Sequence, residues 1–187
     1  LIWDDRENNG EGFKPWTPAR HPDFGDIEIG GFHPKFFSQN GPPRVLEHWA
    51  SRQALFNLEM ALALPELQWQ DVRVRRLQQH GADSATYEVR VQYRNTGGLP
   101  TALRQAQLVK IVQEDKLFMQ LPGGTSRARI VEPSLRQGAV WNGHANPGET
   151  KTVTYRVRVY GSEPVTARLR LDSTRGGVIS REVVIGG

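Results

Sequence analysis

The sequence predicts a mainly β protein, in which an antiparallel two-sheet β-sandwich over residues 68–187 is preceded by an irregular segment and one amphipathic helix. Three observations predict it. Apolar and polar residues alternate along several runs after Leu67, turn signals separate those runs, and the helical period is confined to residues before Pro65. No strand–helix alternation occurs within 68–187, which disfavours a parallel α/β sheet.

From Leu1 to Pro43 neither period is sustained. Gly12-Phe13-Lys14-Pro15-Trp16-Thr17-Pro18 and Gly30-Gly31-Phe32-His33-Pro34 read as ordered irregular chain, with aromatic rings pinning loops onto something larger. So long a stretch without a regular element does not fold alone, so a partner surface is implied. Over residues 43–64, Val45, Leu46, Trp49, Ala50, Phe56, Met60 and Ala63 recur at helical spacing, and Leu55, Leu58 and Leu62 widen the arc. Pro42-Pro43 suits the helix start, and Pro65 ends it because its ring and missing N–H cannot continue the ladder.

The period then falls to two. Trp69, Val72 and Val74 begin the pattern; Tyr87, Val89, Val91 and Tyr93 continue it, as do Val153, Tyr155, Val157 and Val159, then Val165, Ala167, Leu169 and Leu171. Further strands are expected at 103–112, 116–121, 126–131, 138–141 and 178–185. Turn signals lie between them, among them His80-Gly81-Ala82-Asp83, Asn95-Thr96-Gly97-Gly98, Pro122-Gly123-Gly124 and Arg175-Gly176-Gly177.

Composition narrows the chemistry. The chain has 187 residues, enough to bury roughly 70% of its unfolded surface if fully globular. Cysteine is absent, which removes disulfides, thiolate nucleophiles and cysteine-ligated metal sites. This does not choose between cytoplasm and periplasm. No apolar run reaches the roughly 20 residues that span a bilayer. The missing initiator methionine and signal core mark the chain as an expected piece of a longer or processed product. The net charge of +4 hides a division: residues 1–64 carry six Lys or Arg against nine Asp or Glu, and residues 65–187 carry eighteen against eleven.

Candidate sites were weighed by residue type and spacing. The five histidines, His21, His33, His48, His80 and His144, show neither HExxH nor HxxE spacing, so no metal ligand is assigned. Asp4, Asp5 and Glu7, and Asp23, Asp26 and Glu28, are read as structural carboxylates, with Glu28 the one to inspect for an unusual environment. No GxSxG elbow occurs, Ser51 lies within the helix, and Gly123-Gly124-Thr125-Ser126 lacks the lysine of a phosphate loop. No catalytic residue is assigned. Arginine outnumbers lysine nineteen to five. Arg73, Arg75, Arg90, Arg94, Arg156, Arg158, Arg168 and Arg170 all fall opposite the apolar positions of their strands, a candidate binding surface if those strands share one sheet. Nucleic acid is disfavoured as its ligand because no recognition helix or stacking motif accompanies the charge. Trp69 and Trp141 are read as packing residues before ligand platforms.

The run from Trp16 to Phe36, with its HP-x-x-G-x-x-E-I-G-G core at His21–Gly31, is followed by Asn40-Gly41-Pro42-Pro43 and a helix. It resembles the C-terminal end of bacterial zinc carboxypeptidases of the M14 type that carry an added β-sandwich. In that family an HxxE pair and a later His hold the zinc, and a catalytic glutamate sits on a late strand; Leu1-Ile2-Trp3-Asp4 looks like the sequence just after that glutamate. None of those residues can be assigned here. The stretch Val89-Arg90-Val91-Gln92-Tyr93-Arg94-Asn95-Thr96-Gly97 is similar to the strand-to-turn signature of bacterial immunoglobulin-like domains.

The resemblance implies a non-catalytic accessory part of a zinc carboxypeptidase: residues 1–64 a C-terminal remnant of the peptidase domain, residues 68–187 an accessory immunoglobulin-like β-sandwich. Its expected partner is the upstream peptidase domain, and its expected role is to stabilise that domain or shape substrate access. Zinc is expected in the intact parent and no cofactor in this chain. A periplasmic or secreted parent is favoured. The alternative is an immunoglobulin-like module that binds a peptide, a protein or a cell-wall glycan.

Overall fold

The computed structural model describes residues 2–122, 126–133 and 138–187. Antiparallel sheets dominate the fold, one long helix precedes the larger ones, and the chain divides into two compact units, Leu1–Glu59 and Met60–Gly187. The change of period places that boundary at Pro65, a few residues further on.

The first unit begins with helix α1 (Ile2–Glu7) and a hairpin of β1 (Phe13–His21) and β2 (Gly25–Phe32). A π-helical turn (Pro34–Gln39) follows, then most of α2 (Pro43–Leu62). The hairpin corrects the expectation of irregular chain up to Pro43. It escapes the period because both faces are largely exposed, Pro15 and Pro18 interrupt β1, and the register shifts between Lys14 and Thr17. Gly30 is required there: a Cβ would stand 2.7 Å from the Trp16 Cα. The carboxyl-terminal half of the HP-x-x-G-x-x-E-I-G-G core is therefore a backbone-contact motif.

Polar contacts and stacked rings hold this unit together. Asp4 is fully buried, and its Oδ1 accepts from Asn8 Nδ2 at 2.7 Å and from the Gly12 N–H at 2.9 Å. Arg44 donates to the Asn8 side-chain oxygen at 3.1 Å and to the Glu7 carbonyl. The Phe32 and Phe37 rings stack 5.1 Å apart, and Trp3 packs 5.5 Å from Trp49. Within residues 2–59 Pro42 is the one apolar side chain that is buried.

The second unit contains β3 (Leu67–His80), β4 (Ser84–Asn95), helix α3 (Arg104–Leu108), β5 (Lys116–Gln120), β6 (Ala128–Glu132), β7 (Ala139–Trp141), β8 (Thr150–Tyr160), β9 (Val165–Ser173) and β10 (Gly177–Ile185). They form two four-stranded sheets, ordered β3-β4-β8-β6 and β10-β9-β5-β7, with antiparallel pairing throughout. Alternation follows from this arrangement: every second side chain of β4, β8 and β9 is buried and the intervening ones lie on the wet face. Val89, Val91, Tyr155, Val157, Leu169 and Leu171 are fully buried in a single cluster drawn from both sheets. Each such aliphatic side chain contributes roughly 1.5–3 kcal/mol.

One expected strand is corrected. Residues 103–112 form α3 and a turn, because Arg104-Gln105-Ala106-Gln107-Leu108 is composed of strong helix formers. Gly123 and Gly124 of the expected turn lie outside the described residues. Asn95 closes the β4 end from within: its Oδ1 accepts the Glu66 and Gly97 N–H groups, each at 3.1 Å, and its Nδ2 donates to the Leu99 and Ala145 carbonyls at 2.8 and 3.1 Å. Among the described residues, no helix is long and apolar enough to cross a membrane.

Candidate functional site

The arginines divide between the two sheets. Arg73 and Arg75 on β3, Arg90 and Arg94 on β4, and Arg156 and Arg158 on β8 share the outer face of the β3-β4-β8-β6 sheet, whereas Arg168 and Arg170 belong to β9 in the other sheet. The register fixes the rows of the first face. Arg90 stands between Arg73 and Thr154; Glu88 stands between Arg75 and Arg156, with Glu132 beyond; Thr86 stands beside Arg158, with Arg129 beyond. Arg94, opposite Gln68 and Thr150, heads the array. Seven arginines thus share a face with three carboxylates, Asp71, Glu88 and Glu132.

Those carboxylates are all engaged. Arg73 Nε lies 2.6 Å from Asp71, Arg75 lies 3.3 Å from Glu88, and Arg156 lies 3.0 Å from Glu132. Arg158 is half-buried, and its guanidinium meets the His80 Nε2 at 3.3 Å, while Thr86 Oγ1 lies 2.9 Å from the same nitrogen. The Nε of Arg158 is buried without a hydrogen-bond partner. Arg129 is not singled out from the sequence, and His80 is weighed there only as a metal ligand and a turn residue. Arg129 stands on an expected strand, but only the pairing of β6 with β8 brings it beside Arg158. On the other sheet, Arg170 lies 2.8 Å from Asp172, and Arg168 donates to Ser180 Oγ at 3.3 Å.

The two tryptophans do not make a common platform. Trp69 packs against the core, while Trp141 is 52% exposed with the Lys116 ammonium 3.6 Å from its ring centroid. Glu28 is exposed on β2 opposite Pro18. His21 contacts Phe24 and receives the Asp23 N–H, and His33 caps the π-helical turn by accepting the Phe36 N–H at 3.1 Å. Both imidazoles thus have local structural partners. Among the described residues no three His, Asp or Glu side chains converge to hold a metal ion, so the residues present do not compose the zinc site that the resemblance places in the parent.

Burial raises the pKa of two core phenols, Tyr93 and Tyr155, well above that of an exposed tyrosine. Glu149 moves the other way, because the Asn146 N–H donates to its carboxylate at 2.8 Å and the Lys151 ammonium lies 2.9 Å away. An apolar cavity of about 130 Å³, lined by Leu64, Pro65, Leu99, Leu103, Val112 and Arg175 among others, holds no acid, base or nucleophile.

Residues 66–184 match the model of a family described as a domain of unknown function (DUF8731). The chain belongs to this family. The DUF8731 region includes both four-stranded sheets and the whole arginine array. No curated protein matches the sequence. Among solved structures, the archaellum periplasmic stator protein FlaG from Sulfolobus acidocaldarius is similar at 13% identity and a TM-score of 0.29, over 64% of this chain and 100% of that one. The secreted serine protease VesC from Vibrio cholerae is similar at 12% identity and a TM-score of 0.37, over 91% of this chain and 28% of that one. The CARDB domain of a Pyrococcus furiosus protein, solved with di-metal ions, is similar at 18% identity and a TM-score of 0.32, over 65% and 89% of the two chains. Likenesses at this level establish neither fold nor activity.

Proposed function

We propose that the chain is a non-catalytic accessory part of a larger zinc-carboxypeptidase-like protein. In this reading residues 1–64 complete the peptidase domain, and residues 68–187 form an immunoglobulin-like sandwich that stabilises it or shapes access to its site. One observation carries the proposal: residues 2–59 contain helix, hairpin and stacked rings, but Pro42 is the one apolar side chain they bury. The helix α2 buries none of its 20 residues, and it exposes Trp49, Leu55, Phe56, Leu58 and Leu62. A helix of that composition draws its stability from packing an apolar face, and an exposed apolar surface of that kind marks an interaction site.

The HP-x-x-G-x-x-E-I-G-G core supports the choice of a peptidase as the partner, since that motif precedes the helix in the family it resembles. The two antiparallel sheets with one shared core support the sandwich reading of the remainder. The test has two parts. Reading the encoding frame upstream should reveal an HxxE pair and a later His. The 187-residue chain, supplied with zinc, should release no C-terminal amino acid from peptides. An upstream sequence without those ligands, or hydrolysis that persists through repeated purification, would overturn the proposal.

A further inference from the structure

The outer face of the β3-β4-β8-β6 sheet carries four arginines with no ion-pair partner among the described residues: Arg94, Arg90, Arg158 and Arg129. They are not scattered. Arg94 and Arg90 are four residues apart on β4, Thr86 is four residues further, and Arg158 and Arg129 continue that last row on the next two strands. With about 3.4 Å per residue along a strand and about 4.8 Å between strands, the four trace a bent track that runs about 27 Å along β4 and then about 10 Å across the sheet.

The track is costly as it stands. Arg73 and Arg90 are direct cross-strand neighbours, as are Arg129 and Arg158, and like charges in that relation destabilise a sheet. The half-buried Arg158 meets no carboxylate among the described residues, and its guanidinium contacts the His80 Nε2 at 3.3 Å instead. Thr152, Thr154 and Gln92 lie between the arginines and offer hydroxyl and amide groups to a hydroxyl-rich ligand.

We propose that this track binds a linear acidic polysaccharide, one bearing carboxylate or sulfate groups along its length. A flexible unbranched chain with anions along its length suits a track of this length, and charge complementarity with hydrogen bonding is what the face provides. Stacking is not: the aromatic groups of these rows, Tyr160 and the His80 imidazole, both lie in the end row through Ser84. Single-stranded nucleic acid relies on such stacking platforms, and the face withholds them. This inference goes beyond the docking of residues 1–64 and does not depend on it.

The full chain is titrated with polygalacturonate and with dextran sulfate, using fluorescence anisotropy at several salt concentrations. Poly-L-glutamate, a single-stranded oligonucleotide and neutral dextran serve as comparisons. Binding to at least one acidic polysaccharide is expected, tighter than to any comparison ligand, with affinity falling as salt rises. R90Q/R158Q should weaken it roughly tenfold and flatten the salt dependence, whereas R168Q/R170Q on the other sheet should leave it unchanged. R94Q, at an exposed position, repeats the test at one position, and the unfolding midpoint of each variant verifies that it folds. No binding to either acidic polysaccharide, equal losses in the two double variants, or tighter binding to poly-L-glutamate or the oligonucleotide would overturn the proposal.

Discussion

The Tyr155 hydroxyl donates to the Leu117 carbonyl at 2.9 Å, a buried hydrogen bond from β8 of one sheet to β5 of the other, and it also lies 3.1 Å from the Gly138 carbonyl. Replacing Tyr155 with Phe keeps the ring and removes the buried hydrogen bond. The cost expected is about 1–3 kcal/mol. Urea unfolding monitored by tryptophan fluorescence should show a lower midpoint with an unchanged slope. An unchanged midpoint would mean that this bond does not tie the sheets together.

Alkaline pH should act through the same residue and through Tyr93. Burial raises both phenols above the ordinary value of 10.0 in the folded state, so the unfolded chain loses these protons first. Their contribution is therefore fully present below about pH 10 and is lost as pH rises beyond it. Unfolding midpoints measured from pH 8 upward should fall more steeply for the parent protein than for Y155F. Identical profiles would remove Tyr155 from the account.

Acid should act through Glu149 in the opposite sense. The Asn146 N–H is the largest influence holding its pKa below the ordinary value of 4.5, against some opposing burial, and Lys151 adds to it. That contribution is present above the unfolded carboxylate's pKa and is lost as pH falls through the folded one. The Glu149 side chain is one-third exposed, so the effect is small. E149Q should lower stability at neutral pH and reduce its decline between pH 5 and 3; a decline as steep as in the parent protein would contradict this.

Asn95 is fully buried and uses both side-chain groups twice, toward Glu66, Gly97, Leu99 and Ala145. Asn95→Ala removes four hydrogen bonds to backbone groups, of which the Ala145 carbonyl keeps the Thr101 N–H, and is expected to cost about 2–4 kcal/mol. Gly97→Ala should also destabilise, since a Cβ there would collide with the Leu64 carbonyl oxygen. Thermal unfolding of the two variants checks both, and parent-like midpoints would show that this corner does not organise the strand ends.

What could be read from the sequence was what burial writes into it. Val89, Val91 and Tyr93, and Leu169 and Leu171, alternate because one face of their strands is buried, so β4, β8 and β9 are legible in the sequence. The hairpin β1–β2 was hidden because little of it is buried and prolines break its pattern. α3 was mistaken for a strand because five helical residues are too few to show a helical period. The outward direction of the arginines was legible, but their distribution was not. Strand order comes from pairings distant in sequence, and it alone brings Arg129 beside Arg158 while sending Arg168 and Arg170 to the other sheet.

The central claim is that α2 and the rest of residues 2–59 lack a core of their own and are completed by a partner. Hydrogen exchange on α2 tests it most directly. In the 187-residue chain the α2 amides should exchange far faster than those of β4, β8 and β9, and in the longer product of the same reading frame they should become strongly protected. Protection of α2 that is already high in the 187-residue chain, and unchanged in the longer product, would contradict the account.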